Sequence, residues 1–196
     1  MPPGLESQAL VQAALDSVNG VDLNPFAVAI ARFRLTLAAL EACGLRSLEA
    51  APAFQFHLAT GDSLIHGPDR DVLPGMESRA AFMPFTYETE DGPLLLQLLE
   101  ERRYDVVVGN PPYITVKDKA LNQIYRQKYA DVCKGRYSMT VPFMELFFRL
   151  AKKGEWPGWI GQITSNSFMK REFGSKLIED FLAKKDLRLV ADTSGA

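Results

Sequence analysis

Apolar positions along the chain alternate between strand-like and helix-like spacing. Residues 18–23 form a short apolar run of strand length. Asn24 and Pro25 follow, an N-cap residue and a proline for the first helical position, and Phe26, Ile30, Phe33, Leu37 and Leu40 then recur at helical spacing up to Gly44. This predicts a strand feeding directly into an amphipathic helix. A second strand is expected over residues 54–58, with a turn at Gly61-Asp62-Ser63. Residues 67–93 are rich in glycine, proline and acid and read as an extended surface connection. Residues 94–103 read as helix. The run YDVVVG over residues 104–109 carries three consecutive β-branched valines, as suits a strand buried on both faces. After an irregular basic stretch come a helix over 142–152, a strand over 159–163, a helix over about 167–183 and a strand over 187–191.

Strands alternating with helices predict a mostly parallel sheet with helices on both faces, the doubly wound α/β class. Ligands of such sheets sit outside the carboxyl ends of the strands. The informative residues are therefore Asp22, Asp62, residues 110–113 and residues 165–168.

Composition excludes several classes. With 196 residues, 47% of them apolar, the chain can bury one sizeable core and is neither disordered nor a disulfide-stapled mini-fold. Cys43 and Cys133 stand far apart, outside any C-x-x-C pair, and His57 and His66 add no ligand set, so no metal site is expected. The N-terminus shows no signal-peptide pattern, and no apolar run approaches the length of a membrane span. A cytoplasmic protein without membrane contact is the expectation.

The net charge of -2 hides an asymmetry: residues 1–113 carry 7 basic and 15 acidic side chains, residues 114–196 carry 15 and 9. Lys117, Lys119, Arg126, Lys128, Lys134 and Arg136 cluster in the second part, interleaved with Tyr125, Tyr129 and Tyr137. Two readings stand side by side, a surface for a polyanion and a solvated face with tyrosines packed inward.

The most specific signal is Asn110-Pro111-Pro112-Tyr113, placed immediately after the strand-like YDVVVG. Asn-Pro alone is a common turn. A turn needs neither a second proline nor an aromatic at a fixed offset. Two successive prolines freeze the backbone and remove two N–H donors, leaving outward carbonyls. The Asn110 side-chain oxygen and the Pro111 carbonyl can together accept both hydrogens of an exocyclic amine, and Tyr113 can stack on the ring that bears it, a role that asks for the ring and not the hydroxyl.

The string NPPY resembles motif IV of the amino-methyltransferases, S-adenosylmethionine enzymes that methylate exocyclic amines of DNA bases, and NPPY favours adenine N6. VNGVDLNPFAVAIARFRL is similar to motif II of that family, HLATGDSL to motif III, KGRYSMTVPFMELFFRLAKKG to motif V with its helix, and WIGQITSNSFMKREFG to motif VI. The resemblance covers nearly the whole chain, in one order. It is strongest to the large bacterial DNA adenine methyltransferases of phage defence, of the phage-growth-limitation (BREX) and type IIG restriction-modification kinds. It implies a Rossmann-like fold, S-adenosylmethionine as cofactor, and double-stranded DNA with a flipped adenine as substrate. Cofactor contacts are implied at Asp22, Leu23, Asp62, Ser63 and Asn110, with Ser63 or Leu64 flanking the cofactor's adenine. The target amine is implied at Asn110, Pro111, Pro112 and Tyr113, and phosphates at the basic cluster. Phe168 has two readings, core residue and stacking residue.

Departures from the family pattern shape further expectations. No G-x-G loop precedes the motif II segment, and the family's later motifs and target-recognition domain are absent. Residues 1–196 thus read as a partial catalytic domain, truncated at both ends, whose partners include the remainder of a parent polypeptide. Alone it is expected to bind cofactor weakly, to be inactive, and to be prone to self-association through an incomplete sheet. The alternatives are a protein-glutamine methyltransferase, which carries the same NPPY, and an inactive scaffold.

Overall fold

The computed structural model describes residues 3–68 and 92–193, with side chains from Glu6 onward. These fall into two compact units, residues 3–66 with 92–99 and residues 67–68 with 100–193. Most of the connection expected over 67–93 lies outside the described residues.

The first unit opens with helix α1 (Pro3–Asp16), which the spacing pattern did not assign. Strand β1 (Asn19–Asp22) leads into helix α2 (Pro25–Ala42) as expected. Asn24 Oδ1 accepts from the Phe26 amide at 3.0 Å, and Gly44 closes the helix in the left-handed region at φ 70°. Strand β2 (His57–Thr60) starts later than the expected 54–58. A tight turn, Phe54 N to Pro52 O at 2.8 Å, delays it, and the ladder begins where Asn19 meets His57 and runs to Asp22 opposite Thr60, in parallel. Short helix α3 (Ser63–His66) and helix α4 (Gly92–Leu98) complete the unit. α4 packs on both strands, and Arg32 of α2 donates to the Leu58 carbonyl at 2.8 Å.

Of the apolar stripe of α2, only Leu40 lies on the buried face. Phe26 is 76% exposed, and Ile30, Phe33 and Leu37 also face solvent, whereas Val28, Ala39 and Leu40 are buried. Ala27, Ala29, Ala31, Leu35 and Ala38 make the helix apolar nearly all round, so spacing alone does not select the inward side.

In the second unit an isolated bridge, Tyr104 with Ala151, precedes strand β3 (Val106–Gly109). Helix α5 (Lys119–Lys128), helix α6 (Thr140–Leu150), strand β4 (Trp159–Gln162) and short helix α7 (Ser167–Lys170) follow. β3 and β4 pair in parallel, Val106 opposite Trp159 and Gly109 opposite Gln162. Within each unit the described strands pair in parallel, β1 with β2 and β3 with β4. The chain is α/β with parallel pairing.

Four expectations are corrected here. β3 is buried on one face only: Val107 is buried on the side where α6 packs, but Val108 is 73% exposed and Val106, Trp159 and Ile163 are exposed with it. The basic stretch is not irregular, because Asp118 caps α5 by accepting from the Leu121 amide at 2.8 Å and Leu121, Ile124 and Tyr125 bury one side. The helix expected over 167–183 is broken at Arg171, which is extended at φ -127° and ψ 148°. A 3₁₀ turn (Glu172–Gly174), a π-helical segment (Lys176–Phe181) and a second 3₁₀ turn (Leu182–Lys184) follow. A Cβ on Gly174 would lie 1.8 Å from the Phe168 carbonyl oxygen, so the chain doubles back there through a contact that only glycine permits. Residues 187–191 form no strand.

The one-sided burial of β3 is testable with a single hydroxyl. Val107→Thr is expected to cost about 1 to 3 kcal/mol, because its hydroxyl enters an apolar layer, while Val108→Thr should stay within about 0.5 kcal/mol. Urea denaturation of the two variants measures the difference.

Candidate active site

The Asn110–Tyr113 loop leaves the carboxyl end of β3 and is held at both ends. The Ile163 amide donates to the Gly109 carbonyl at 3.1 Å, continuing the ladder, and the Met139 amide donates to the Ile114 carbonyl at 2.8 Å just before α6. Phe147 of α6 packs beneath Gly109, so closely that a Cβ there would lie 2.5 Å from its Cζ. Pro111 is buried, while Asn110, Pro112 and Tyr113 face outward. The Tyr113 hydroxyl donates to Asn110 Oδ1 at 2.7 Å. The four residues singled out in the sequence therefore lie in one turn held at both ends, with Asn110, Pro112 and Tyr113 exposed and Pro111 buried. Gly109, Met139 and Phe147, which hold it, were not singled out. The small residue ending a β-branched strand was the available signal for the first of them.

The acidic strand ends belong to the first unit. Asp22 is exposed at the end of β1, and its Oδ1 accepts from the Asn24 amide at 2.7 Å. Its carbonyl accepts from the Gly61 amide at 2.9 Å, fastening the Gly61-Asp62-Ser63 turn to β1. Asp62 is only 4% exposed and caps α3, Oδ1 accepting from the Leu64 and Ile65 amides at 2.8 and 3.0 Å. Leu23 is exposed and Ser63 half-buried, whereas Leu64 is fully buried, so of Ser63 and Leu64 only Ser63 offers surface to a ligand. Thr60, opposite Asp22, keeps a buried hydroxyl without a hydrogen-bond partner among the described residues. Of the two, only the Asp22 carboxylate is open to a ligand at the strand end. Both histidines have structural contacts: His57 Nε2 lies 3.2 Å from Asp16 Oδ1 and His66 Nδ1 lies 2.9 Å from the Asp62 carbonyl.

The basic stretch divides. Tyr125, Tyr129 and Tyr137 are fully buried, so they are core and not a stacking surface. Arg126 donates to the Gly135 carbonyl at 2.6 Å and lies over the Tyr137 ring, Lys128 donates to the Gly67 carbonyl, and Lys134 pairs with Glu172 at 3.4 Å. Lys117, Lys119 and Arg136 are exposed. Phe168 is buried and takes the core reading.

Burial, with Glu145 adding to it, pushes the Cys133 thiol up to about 12 and keeps it protonated, which removes it as a nucleophile. Among the described residues no group of side chains suits a metal ion, and no helix is long and apolar enough to cross a membrane.

Residues 16–196 match the family model of the Eco57I restriction-modification methylase. The chain belongs to that family. It is 52% identical over 205 aligned residues to the adenine-specific methyltransferase PglX of Streptomyces coelicolor, an alignment that covers 99% of this chain and 17% of that protein. It is 30% identical over 96 residues to the type II methyltransferase M.BstVI of Geobacillus stearothermophilus, covering 47% of this chain and 16% of the other. The chain thus spans about a sixth of the length of these relatives. No solved structure matches.

The packing under the loop yields a prediction. Gly109→Ala is expected to destabilise the fold by about 1 to 3 kcal/mol, the range for overpacking against a buried ring. Adding Phe147→Leu should restore part of that loss, as read from urea midpoints of the single and double variants.

Proposed function

We propose that the chain is the catalytic portion of a DNA adenine methyltransferase, which transfers a methyl group from S-adenosylmethionine to adenine N6 in a phage-defence or restriction-modification setting. The observation that carries this reading is the Asn110–Tyr113 turn, pinned at both ends with the Asn110 amide and the Tyr113 side chain exposed. The family membership and the adenine-specific relative support it, as do the two parallel strand pairs, which suit a Rossmann-like sheet. The remainder of a longer polypeptide, including a target-recognition domain, and double-stranded DNA are the proposed partners.

In this reading the first unit holds the cofactor's nucleoside. Asp22 accepts from the ribose hydroxyls, Asp62 and Ser63 meet the adenine, and Leu23 lies alongside. Bound S-adenosylmethionine supplies an electrophilic methyl group. The second unit holds the target. Adenine N6 is paired inside a duplex, so the base must be flipped out, at a cost of a few kcal/mol that stacking on Tyr113 offsets in part. Asn110 Oδ1 and the Pro111 carbonyl then accept the two amine hydrogens and draw the nitrogen lone pair out of conjugation with the ring. Acceptors already in place stabilise the charge that develops on the nitrogen without reorganising.

Asn110→Ala in the full-length enzyme is expected to lower single-turnover methyl transfer by about a hundredfold, the scale for one aimed hydrogen-bonding group. Asp22→Ala should instead weaken S-adenosylmethionine binding by about 10- to 100-fold, the worth of hydrogen bonds to a charged acceptor. Single-turnover rates with labelled cofactor and calorimetry separate the two, and wild-type turnover by Asn110→Ala would reduce the turn to a structural feature.

The basic cluster generates a separate expectation. Replacing Lys117, Lys119 and Arg136 by glutamine should weaken binding to all DNA sequences and flatten the salt dependence by about 0.9 per lost contact. Arg126→Gln should act mainly on stability, since that side chain is engaged with Gly135 and Tyr137. Binding isotherms across a salt series, with a urea melt for Arg126→Gln, check both.

A further inference from the structure

The stacking role proposed for Tyr113 leaves its hydroxyl idle, yet that hydroxyl donates to Asn110 Oδ1 at 2.7 Å. The contact has a chemical consequence. Asn110 is exposed, and a solvated amide can turn over, presenting either its oxygen or its NH2. Only one of those faces suits an amine: the oxygen accepts from it, whereas the NH2 sets two donors against each other. Among the described residues no other side chain hydrogen-bonds the Asn110 amide.

A phenol donates a hydrogen bond more readily than it accepts one, so Tyr113 favours the oxygen of Asn110 over the nitrogen. The carbonyl oxygen has two lone pairs, and the phenol uses one, leaving the second for an incoming amine. Pro111 and Pro112 fix the intervening backbone, so the tyrosine cannot drift from its partner. Tyr113 is 49% exposed while its hydroxyl is engaged, which leaves the side chain open to a base. Resting on the functional reading above, we infer that Tyr113 is the positioning residue for Asn110: its hydroxyl locks the amide with Oδ1 turned to the target amine, and its ring stacks on the base.

The two roles separate in Tyr113→Phe, which keeps the ring and deletes the lock. In the full-length enzyme kcat is expected to fall about three- to tenfold, the worth of one neutral hydrogen bond. KM for DNA, the fluorescence of 2-aminopurine at the target position and the urea midpoint should all be unchanged. In an Asn110→Ala background the same substitution should have no further effect, because the group it positions is gone. Wild-type kcat for Tyr113→Phe overturns the inference, as does a raised KM at unchanged kcat, or an equal loss in both backgrounds. Wild-type turnover by Asn110→Ala alone is a different result, and it overturns the functional reading itself.

Discussion

Two adjacent prolines stiffen the backbone of the loop after β3 and remove two of its donors, so backbone hydrogen bonds can anchor it only at the residues that flank them. Its geometry depends on its ends. At one end Gly109 completes the ladder to β4 and lets the Phe147 ring approach the backbone; at the other the Met139 amide captures the Ile114 carbonyl. β3, β4 and α6 therefore act as the jig for four residues. A turn held by packed elements suits the role proposed for it, because acceptors fixed in place stabilise a developing charge without reorganising.

That jig rests on α6, most of whose residues are buried. Its charged pair, Glu145 with Arg149 at 2.6 Å, lies inside the unit. Arg149 also donates to the carbonyls of Pro68 and Lys128 and lies over the Tyr129 ring, 4.9 Å from its centre. Buried ion pairs add little net stability, because desolvation offsets their attraction. This one acts through its directional donors, which tie the end of α5 and the segment at residue 68 to α6. Neutral packing of equal volume would fill the same space without fixing that register.

The local punctuation was legible in the sequence. Asn24 and Pro25 start α2, Gly44 stops it, and Asn110 follows a β-branched strand, because each is set by residues adjacent in sequence. What required tertiary partners was not legible. Nothing within α2 says that Val28 and not Phe26 turns inward, and nothing in the VVVG run says that only one of its faces is covered. α5 had readable signals in Asp118 and in the spacing of Leu121, Ile124 and Tyr125, but the surrounding basic residues masked them. The break at Arg171 depends on a backbone contact between Phe168 and Gly174 that no spacing rule encodes. Likewise the candidate site side chains were picked out by the motif, while the hydroxyl contact inside it became visible only in three dimensions.

The acids at the strand ends show why a turn residue and a ligand residue need not be rivals. Asp22 uses Oδ1 to accept from Asn24, the contact of an ordinary turn, and Asp62 caps α3 in the same manner. An ionised carboxylate offers about four lone-pair sites, so one local bond does not exhaust it. That bond instead fixes the rotamer of an exposed side chain, and a carboxylate already fixed loses less entropy when it later accepts from a ligand. Asn110 follows the same logic with a different donor: a neighbour takes one lone pair, and in doing so aims the other.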